Sequence, residues 1–289
     1  MASNESIWTY YQGTWHAGNT PILSAADHGA WLGSMVFDGA RLFDGVTPDL
    51  DKHCARVNNS AEALGMTPTV SVEQMLEITL EGLANYANGA AVYIRPMYWP
   101  KLRGAGFITP DPESTDFCIC LETVPMSKPT DTGTLATTSF RRPTLDCATV
   151  DAKASCLYPN NARMMREAVS KGFTNALVAD FEGNVAETAT SNIFMAKDGE
   201  IFTPVPNGCF LNGITRQRFI ELFKDAGETV HEKTLTFDDF KNADEIFMTG
   251  NLSKVMPVVA LDDKKFESGP VAKKAREMYW DWAFSSSSF

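Results

Sequence analysis

Apolar and polar positions set two rhythms along the chain. Ile7–Tyr11 and Thr14–His16 flank a Gln12-Gly13 turn and predict a hairpin. Leu50, Ala55, Val57 and Leu64 recur at helical spacing, so a helix is expected over 51–64, stopping at Gly65. A second helix is expected over Val72–Tyr86, ending near Asn88-Gly89. Strands are expected at Ala91–Trp99 and Asp116–Val124. In the latter, Cys118 and Cys120 alternate with Phe117, Ile119 and Leu121, which places both thiols on one face. Between these strands lies a basic, glycine-rich loop over 100–107. Two helices beside several strands make an α+β pattern.

Polar residues then take over in Met126-Ser-Lys-Pro-Thr-Asp-Thr-Gly133, which predicts a linker. The expected division is a smaller N-terminal domain over 1–125, a linker over 126–132 and a larger C-terminal domain over 133–289. The second part opens with a strand over Thr134–Phe140. A helix follows Pro159-Asn160-Asn161, with Met164, Met165, Ala168 and Val169 on one side, and ends at Gly172. Ala176–Asp180, Ser191–Lys197 and Ile201–Thr203, punctuated by Glu182-Gly183 and Asp198-Gly199, give two successive hairpin signals. Leu211-Asn-Gly-Ile-Thr215 opens a helix that carries Phe219, Leu222 and Phe223 and stops at Ala226-Gly227. Strands are expected at Thr229–Glu232 and Asp244–Thr249, a last helix over Val271–Trp282, and a frayed tail over Ser285–Ser288.

Composition narrows the function classes. The 289 residues are 44% hydrophobic and 21% charged, as in ordinary globular chains. With 25 basic and 36 acidic residues the formal charge is −11, which argues against nucleic-acid and anionic-membrane partners. No run approaches the ~20 apolar residues of a membrane span. Met-Ala-Ser-Asn-Glu-Ser has neither the basic start nor the apolar core of a secretory signal, so a cytoplasmic protein is expected. Six cysteines without a framework spacing read as reduced, mostly buried thiols. Four histidines without ligand-like spacing make a histidine-based zinc site a poor reading.

Several residues stand out as candidate chemistry, each beside a plainer alternative. Gly213-Ile214-Thr215 opens a helix, where free N–H groups favour an anion, although most helix starts bind nothing. Arg56 lies on an amphipathic helix and is either an anion ligand or a surface arginine. Lys153, in Asp-Ala-Lys-Ala-Ser, is either a nucleophile in a dry site or an exposed loop lysine. Glu187 is a lone acid in an apolar run, so it faces either solvent or a specific cation. Arg95, near the end of a strand, offers a carboxylate-binding fork or a solvent-facing charge. Gly250-Asn251-Leu252 is an anion-holding turn or simply a turn.

The order of these motifs resembles the class-IV, fold-type-IV pyridoxal-phosphate aminotransferases, over about Ile7 to Tyr279, and most closely their branched-chain subgroup. The most specific stretch is Ala186-Glu-Thr-Ala-Thr-Ser-Asn-Ile-Phe194, followed by Asp198-Gly199, Thr203-Pro204 and Leu211-Asn-Gly-Ile-Thr-Arg216. The interval from Lys153 to Glu187 also matches. The resemblance implies a two-domain fold like that of D-amino acid aminotransferases, with a β-barrel-like sheet in the larger domain, and a homodimer. It implies that Lys153 forms the imine with pyridoxal 5'-phosphate. Arg56 and the N–H groups of Ile214 and Thr215 would bind the phosphate, Glu187 would pair with the ring nitrogen, and Tyr158 would bond the ring oxygen. Leu211, Gly213, Gly250 and Asn251 would complete the cofactor contacts. Phe37, Tyr93, Arg95, Arg103, Asn251 and Leu252 would line the substrate pocket, with Arg95 receiving a distal carboxylate.

The implied reaction moves an amino group from an L-amino acid, preferably branched-chain, to 2-oxoglutarate, with the Lys153 amine shuttling a proton. There are three departures from the subgroup. Leu32 stands where a tyrosine is usual, Asn251 where a threonine is usual, and Ser191 where a glutamate is usual. They bear on the side-chain pocket and keep open a D-amino acid or (R)-amine transaminase on the same scaffold. A lyase of the aminodeoxychorismate type is a further alternative.

Overall fold

The computed structural model describes residues 6–286. The chain forms two compact units. The first runs through Met126 and also includes Asp151–Cys156; the second comprises Ser127–Val150 and Leu157–Ser286. The terminal serines 287 and 288 lie outside the described residues.

The first unit contains β1 (Ile7–Tyr11), β2 (Thr14–Ala17), α1 (His28–Trp31), β3 (Val36–Phe37), β4 (Ala40–Leu42), α2 (Leu50–Ala63), α3 (Val72–Leu83), β5 (Val92–Pro100) and β6 (Thr115–Thr123). Its antiparallel sheet runs β2-β1-β6-β5-β3, with β4 also on β5. Leu50, Cys54, Val57 and Ala61 of α2 pack with Val92, Ile94, Ile119 and Leu121 of the sheet, so the helical and two-residue periods meet in one core. Gly65, at φ +76°, takes the left-handed conformation that ends α2, as expected. The second helix ends at Leu83, short of the expected Tyr86. There Ala84 and Tyr86 N–H bond back to Glu81 and Leu83 carbonyls, and the Asn85 amide bonds Gly82 O, which tightens the last turn. The short α1, β3 and β4 lack enough residues to show a period and were not expected.

The second unit contains β7 (Gly133–Arg141), α4 (Tyr158–Ser170), β8 (Asn175–Ala179), β9 (Val185–Thr188), β10 (Asn192–Lys197), β11 (Glu200–Pro204), α5 (Ile214–Asp225), β12 (Val230–Lys233), α6 (Phe237–Lys241), β13 (Glu245–Gly250), β14 (Lys254–Leu261), β15 (Lys264–Lys265) and α7 (Pro270–Ser286). The mixed sheet runs β12-β11-β10-β13-β14-β7-β8-β9, with β15 on β14. β9 also lies beside β10 and β11, so the sheet curls towards a barrel. Two expectations change. The Glu182-Gly183 turn joins β8 to β9, with Val178 opposite Glu187, and not to the Ser191–Lys197 run, whereas the Asp198-Gly199 hairpin of β10 and β11 forms as expected. The last helix extends beyond Trp282 to Ser286.

Of the six free cysteines, Cys54, Cys118 and Cys209 are buried, Cys120 is half-buried, and Cys147 and Cys156 are exposed, so burial is less general than expected. Cys118 pairs with Met97 and Cys120 with Arg95 across β5. Among the described residues no helix is long and apolar enough to cross a membrane.

Candidate active site

In the first unit the candidate residues gather around α2 and the edge of the sheet. Asp38 is fully buried between β3 and β4. Arg56 grips it with two hydrogen bonds, Nε to Oδ2 at 2.6 Å and Nη2 to Oδ1 at 2.8 Å. His53 Nδ1 lies 2.7 Å from Oδ1, and Gly39 N–H donates to the same oxygen at 2.6 Å. Since this carboxylate can only accept, His53 carries its proton on Nδ1. Burial by itself pushes the Asp38 carboxyl up. The Arg56 guanidinium and then His53 outweigh it and hold the group well below the usual carboxylate range.

Lys153 is tied to the same structure through its backbone. Its N–H donates to Ser60 Oγ at 3.1 Å, while Ser60 Oγ donates to Arg56 O at 2.8 Å. Its carbonyl accepts from Phe37 N–H at 3.2 Å, Ala154 bridges Val36, and Ser155 N–H donates to Met35 O. A buried serine thus joins the lysine segment to the helix that carries Arg56. The Lys153 ammonium lies 4.8 Å from the Phe37 ring centroid, within cation–π range. Phe37 is opposite Met97 and Arg41 is opposite Tyr93, so Phe37, Tyr93 and Arg95 share one face of the sheet. Arg95 is bonded to Glu122 at 2.7 Å and its guanidinium lies 5.4 Å from the Tyr93 ring centroid. Gly39 is required where it stands, because a Cβ would overlap the Tyr93 hydroxyl. Arg103 is exposed on the 101–109 loop and stacks on Phe107 at 3.9 Å.

In the second unit Glu187 sits on buried β9. Arg142 Nε is 3.0 Å from Glu187 Oε1 but poorly aligned, which makes the contact an ion pair more than a hydrogen bond. The rest of the Arg142 guanidinium bonds Thr188 O at 2.7 Å, Ala189 O at 3.0 Å and Asn161 Oδ1 at 2.5 Å. Asn192 Nδ2 donates to Glu187 Oε2 at 3.2 Å and to Leu211 O at 3.0 Å, and its Oδ1 accepts from Gly213 N–H at 3.1 Å. One buried asparagine therefore links the acid to the turn that opens α5. That helix has no side-chain cap, since its N-cap is Gly213. A Cβ there would overlap Asn192 Oδ1. Tyr158 opens α4, part-exposed. Gly250, Asn251 and Leu252 form the turn between β13 and β14 and border a cavity of about 290 Å³ together with Thr190 and Ser191.

Each unit thus assembles its own set. Lys153, Arg56, Phe37, Tyr93 and Arg95 are brought together in the first, and Glu187, Leu211 and Gly213–Thr215 in the second. Sequence reading singled out none of Asp38, His53, Ser60, Arg142 and Asn192. A trace of the first two exists in the Phe37-Asp38-Gly39 and His53-x-x-Arg56 spacings, the latter placing both bases on one helix face.

Three comparisons bear on this arrangement. A chain described as an aminotransferase from Brucella abortus bound to the cofactor PLP is 58% identical, with a TM-score of 0.95 over 96% of this chain and 99% of that one. A branched-chain aminotransferase from T.th., complexed with N-(5'-phosphopyridoxyl)-L-glutamate, is 28% identical, with a TM-score of 0.88 over 99% and 96%. The branched-chain-amino-acid aminotransferase of Pseudomonas aeruginosa is 31% identical over 97% of this chain and 94% of its own length. The amino-transferase class IV family matches residues 35–261, about four fifths of the chain, so this protein belongs to the class-IV aminotransferases and is like their branched-chain members.

Proposed function

We propose that the protein is a pyridoxal-phosphate-dependent transaminase that takes the amino group of an L-amino acid, preferably branched-chain, and passes it to 2-oxoglutarate. The observation that carries this reading is the Ser60 bridge, which ties the Lys153 segment to the Arg56 helix while the Lys153 amine lies over Phe37, on the face shared with Tyr93 and Arg95. The residues fit the cofactor. An uncapped helix start with free N–H groups and an oriented guanidinium suit a phosphate, and a buried carboxylate suits a protonated ring nitrogen. When bound, the cofactor supplies an aldehyde for amine exchange and a ring that absorbs carbanion charge.

The chain's own groups do the rest. Arg56 and the N–H groups of Ile214 and Thr215 bind the phosphate, with Leu211 and Gly213 shaping that turn. Glu187 holds a proton on the ring nitrogen, kept in place by Arg142 and Asn192. Tyr158 donates to the ring oxygen. The freed Lys153 amine would carry the proton from the substrate α-carbon to the cofactor's imine carbon, and one in the reverse direction in the second half-reaction. Gly250, Asn251 and Leu252 hold the substrate carboxylate, and Phe37, Tyr93 and Arg103 border its side chain. Arg95 receives the second carboxylate of 2-oxoglutarate. The glutamate adduct bound by the T.th. relative supports a dicarboxylic partner.

In this reading the domains over 1–125 and 133–289 flank a linker over 126–132, and the enzyme works as a cytoplasmic homodimer. The test is a half-reaction panel of L-leucine, D-alanine and (R)-1-phenylethylamine, followed by cofactor absorbance. Fastest bleaching by L-leucine is expected, with borohydride fixing the cofactor to Lys153 and Lys153→Ala inactive but soluble. Preference for either of the other donors, or full turnover by Lys153→Ala, overturns the proposal.

A further inference from the structure

The turn after β13 carries three costs that the roles above do not use. Lys254 is fully buried. Its φ is +60°, a left-handed conformation that is unfavourable for a residue with a side chain. Its ammonium donates to Asn251 Oδ1 at 2.7 Å and lies 5.5 Å from the Tyr279 ring centroid. An ammonium can only donate, so it fixes the amide with its oxygen towards Lys254 and its NH₂ away. That NH₂ is buried and has no hydrogen-bond partner among the described residues. An unpaired buried donor is costly and needs an explanation, of which an absent ligand is one. The cavity bordered by this turn is lined by Met165, Met248, Met256, Thr190 and other neutral residues, with no carboxylate among them.

We propose that Lys254 is a positioning residue. It holds the Asn251 amide so that Nδ2 donates to an anionic oxygen, and its positive field favours the charge there. The inference rests on the reading that this turn serves cofactor and substrate, both of which present such oxygens, one a phosphate and the other a carboxylate. Asn251, where the branched-chain subgroup usually has a threonine hydroxyl, then needs a fixed orientation that a freely rotating hydroxyl does not.

The test compares Asn251→Ala, Lys254→Met and the double variant with wild type. Methionine is close in volume and leaves no buried charge, so the fold is expected to persist. Full-length apoprotein is titrated with pyridoxal 5'-phosphate and with pyridoxal. Holoenzyme is titrated with 4-methylpentanoate and with 4-methylpentanol, read by cofactor absorbance. Loss of one charge-assisted hydrogen bond is expected to weaken one anion by about 10-fold or more, with its uncharged analogue unmoved. A loss confined to pyridoxal 5'-phosphate identifies the phosphate, and a loss confined to 4-methylpentanoate identifies the carboxylate.

The double variant is expected to be no weaker than either single one, and Asn251→Thr is expected to restore binding in the Lys254→Met background. Equal weakening of charged and uncharged probes, additive losses, or no loss in any titration overturns the proposal and leaves Lys254 a packing residue. If wild-type apoprotein takes up no cofactor at Lys153, it is the preceding reading that fails.

Discussion

Replacing Asp38 by asparagine tests whether the Asp38–Arg56 pair is a working ion pair. One carboxylate oxygen accepts from Gly39, His53 and Arg56 Nη2, and the other from Arg56 Nε. Whichever way the asparagine amide is turned, its NH₂ meets at least one of these donors. Removing one partner of a buried pair costs about 3–5 kcal/mol. The Arg56 side chain keeps some contact with solvent, so the lower end, about 3 kcal/mol, is expected. For a chain of this size that lowers Tm by roughly 6–12 °C.

The pH dependence gives an independent check. Because the folded pKa of Asp38 is depressed, its stabilisation is complete above the unfolded value of about 3.9 and is lost as pH falls below that. The deficit of Asp38→Asn relative to wild type is therefore expected to be constant from pH 7 to about 5 and to shrink by about 1 kcal/mol at pH 3. Urea unfolding of the apoproteins, followed by tryptophan fluorescence and circular dichroism at each pH, measures it, and taking the difference cancels the other carboxylates. A deficit below about 1 kcal/mol at pH 7, or one that stays constant down to pH 3, would refute the reasoning.

Arg95→Ala is expected to lower kcat/KM with 2-oxoglutarate about 10- to 100-fold more than with pyruvate, because only the former offers a second carboxylate to the guanidinium. Steady-state kinetics with both acceptors decides it, and equal losses remove Arg95 from that role. Gly213→Ala is expected to destabilise the protein by about 1–3 kcal/mol, since the new Cβ must displace Asn192 Oδ1. It should also shed cofactor on gel filtration faster than wild type, as the same displacement disturbs the Glu187 contact. Unchanged retention would show that Asn192 does not couple the acid to the start of α5.

What could be read from the sequence was what repeats locally. α2 and α5 were legible because apolar positions recur on one face and a glycine follows in the left-handed conformation, Gly65 at φ +76° and Gly227 at φ +79°. β9 was not, because Val185–Thr188 is buried throughout and half polar, so neither alternation nor an apolar run marks it. α6 is only five residues long, and its one clear signal was the Thr236–Asp239 capping box. β14 was obscured by Lys254 at its start and by Pro257 within it. The site divides in the same way. Lys153, Glu187 and Arg56 stood out as residue types with distinctive chemistry, and family resemblance supplied their partners.

Ser60, Asp38 and Asn192 are commonplace on protein surfaces, and their importance lies in contacts that no local pattern encodes. Ser60 meets Lys153 across 93 positions of sequence. Such a residue becomes visible only once folding has removed water, because a buried hydroxyl or amide must then be satisfied by the chain itself. The same rule separates Asn192 from Asn251. Asn192 spends its amide on Glu187, Leu211 and Gly213, whereas Asn251 is bonded at its oxygen and left open at its nitrogen. The first is explained within the protein, and the second is what the proposal for Lys254 assigns to an anionic ligand.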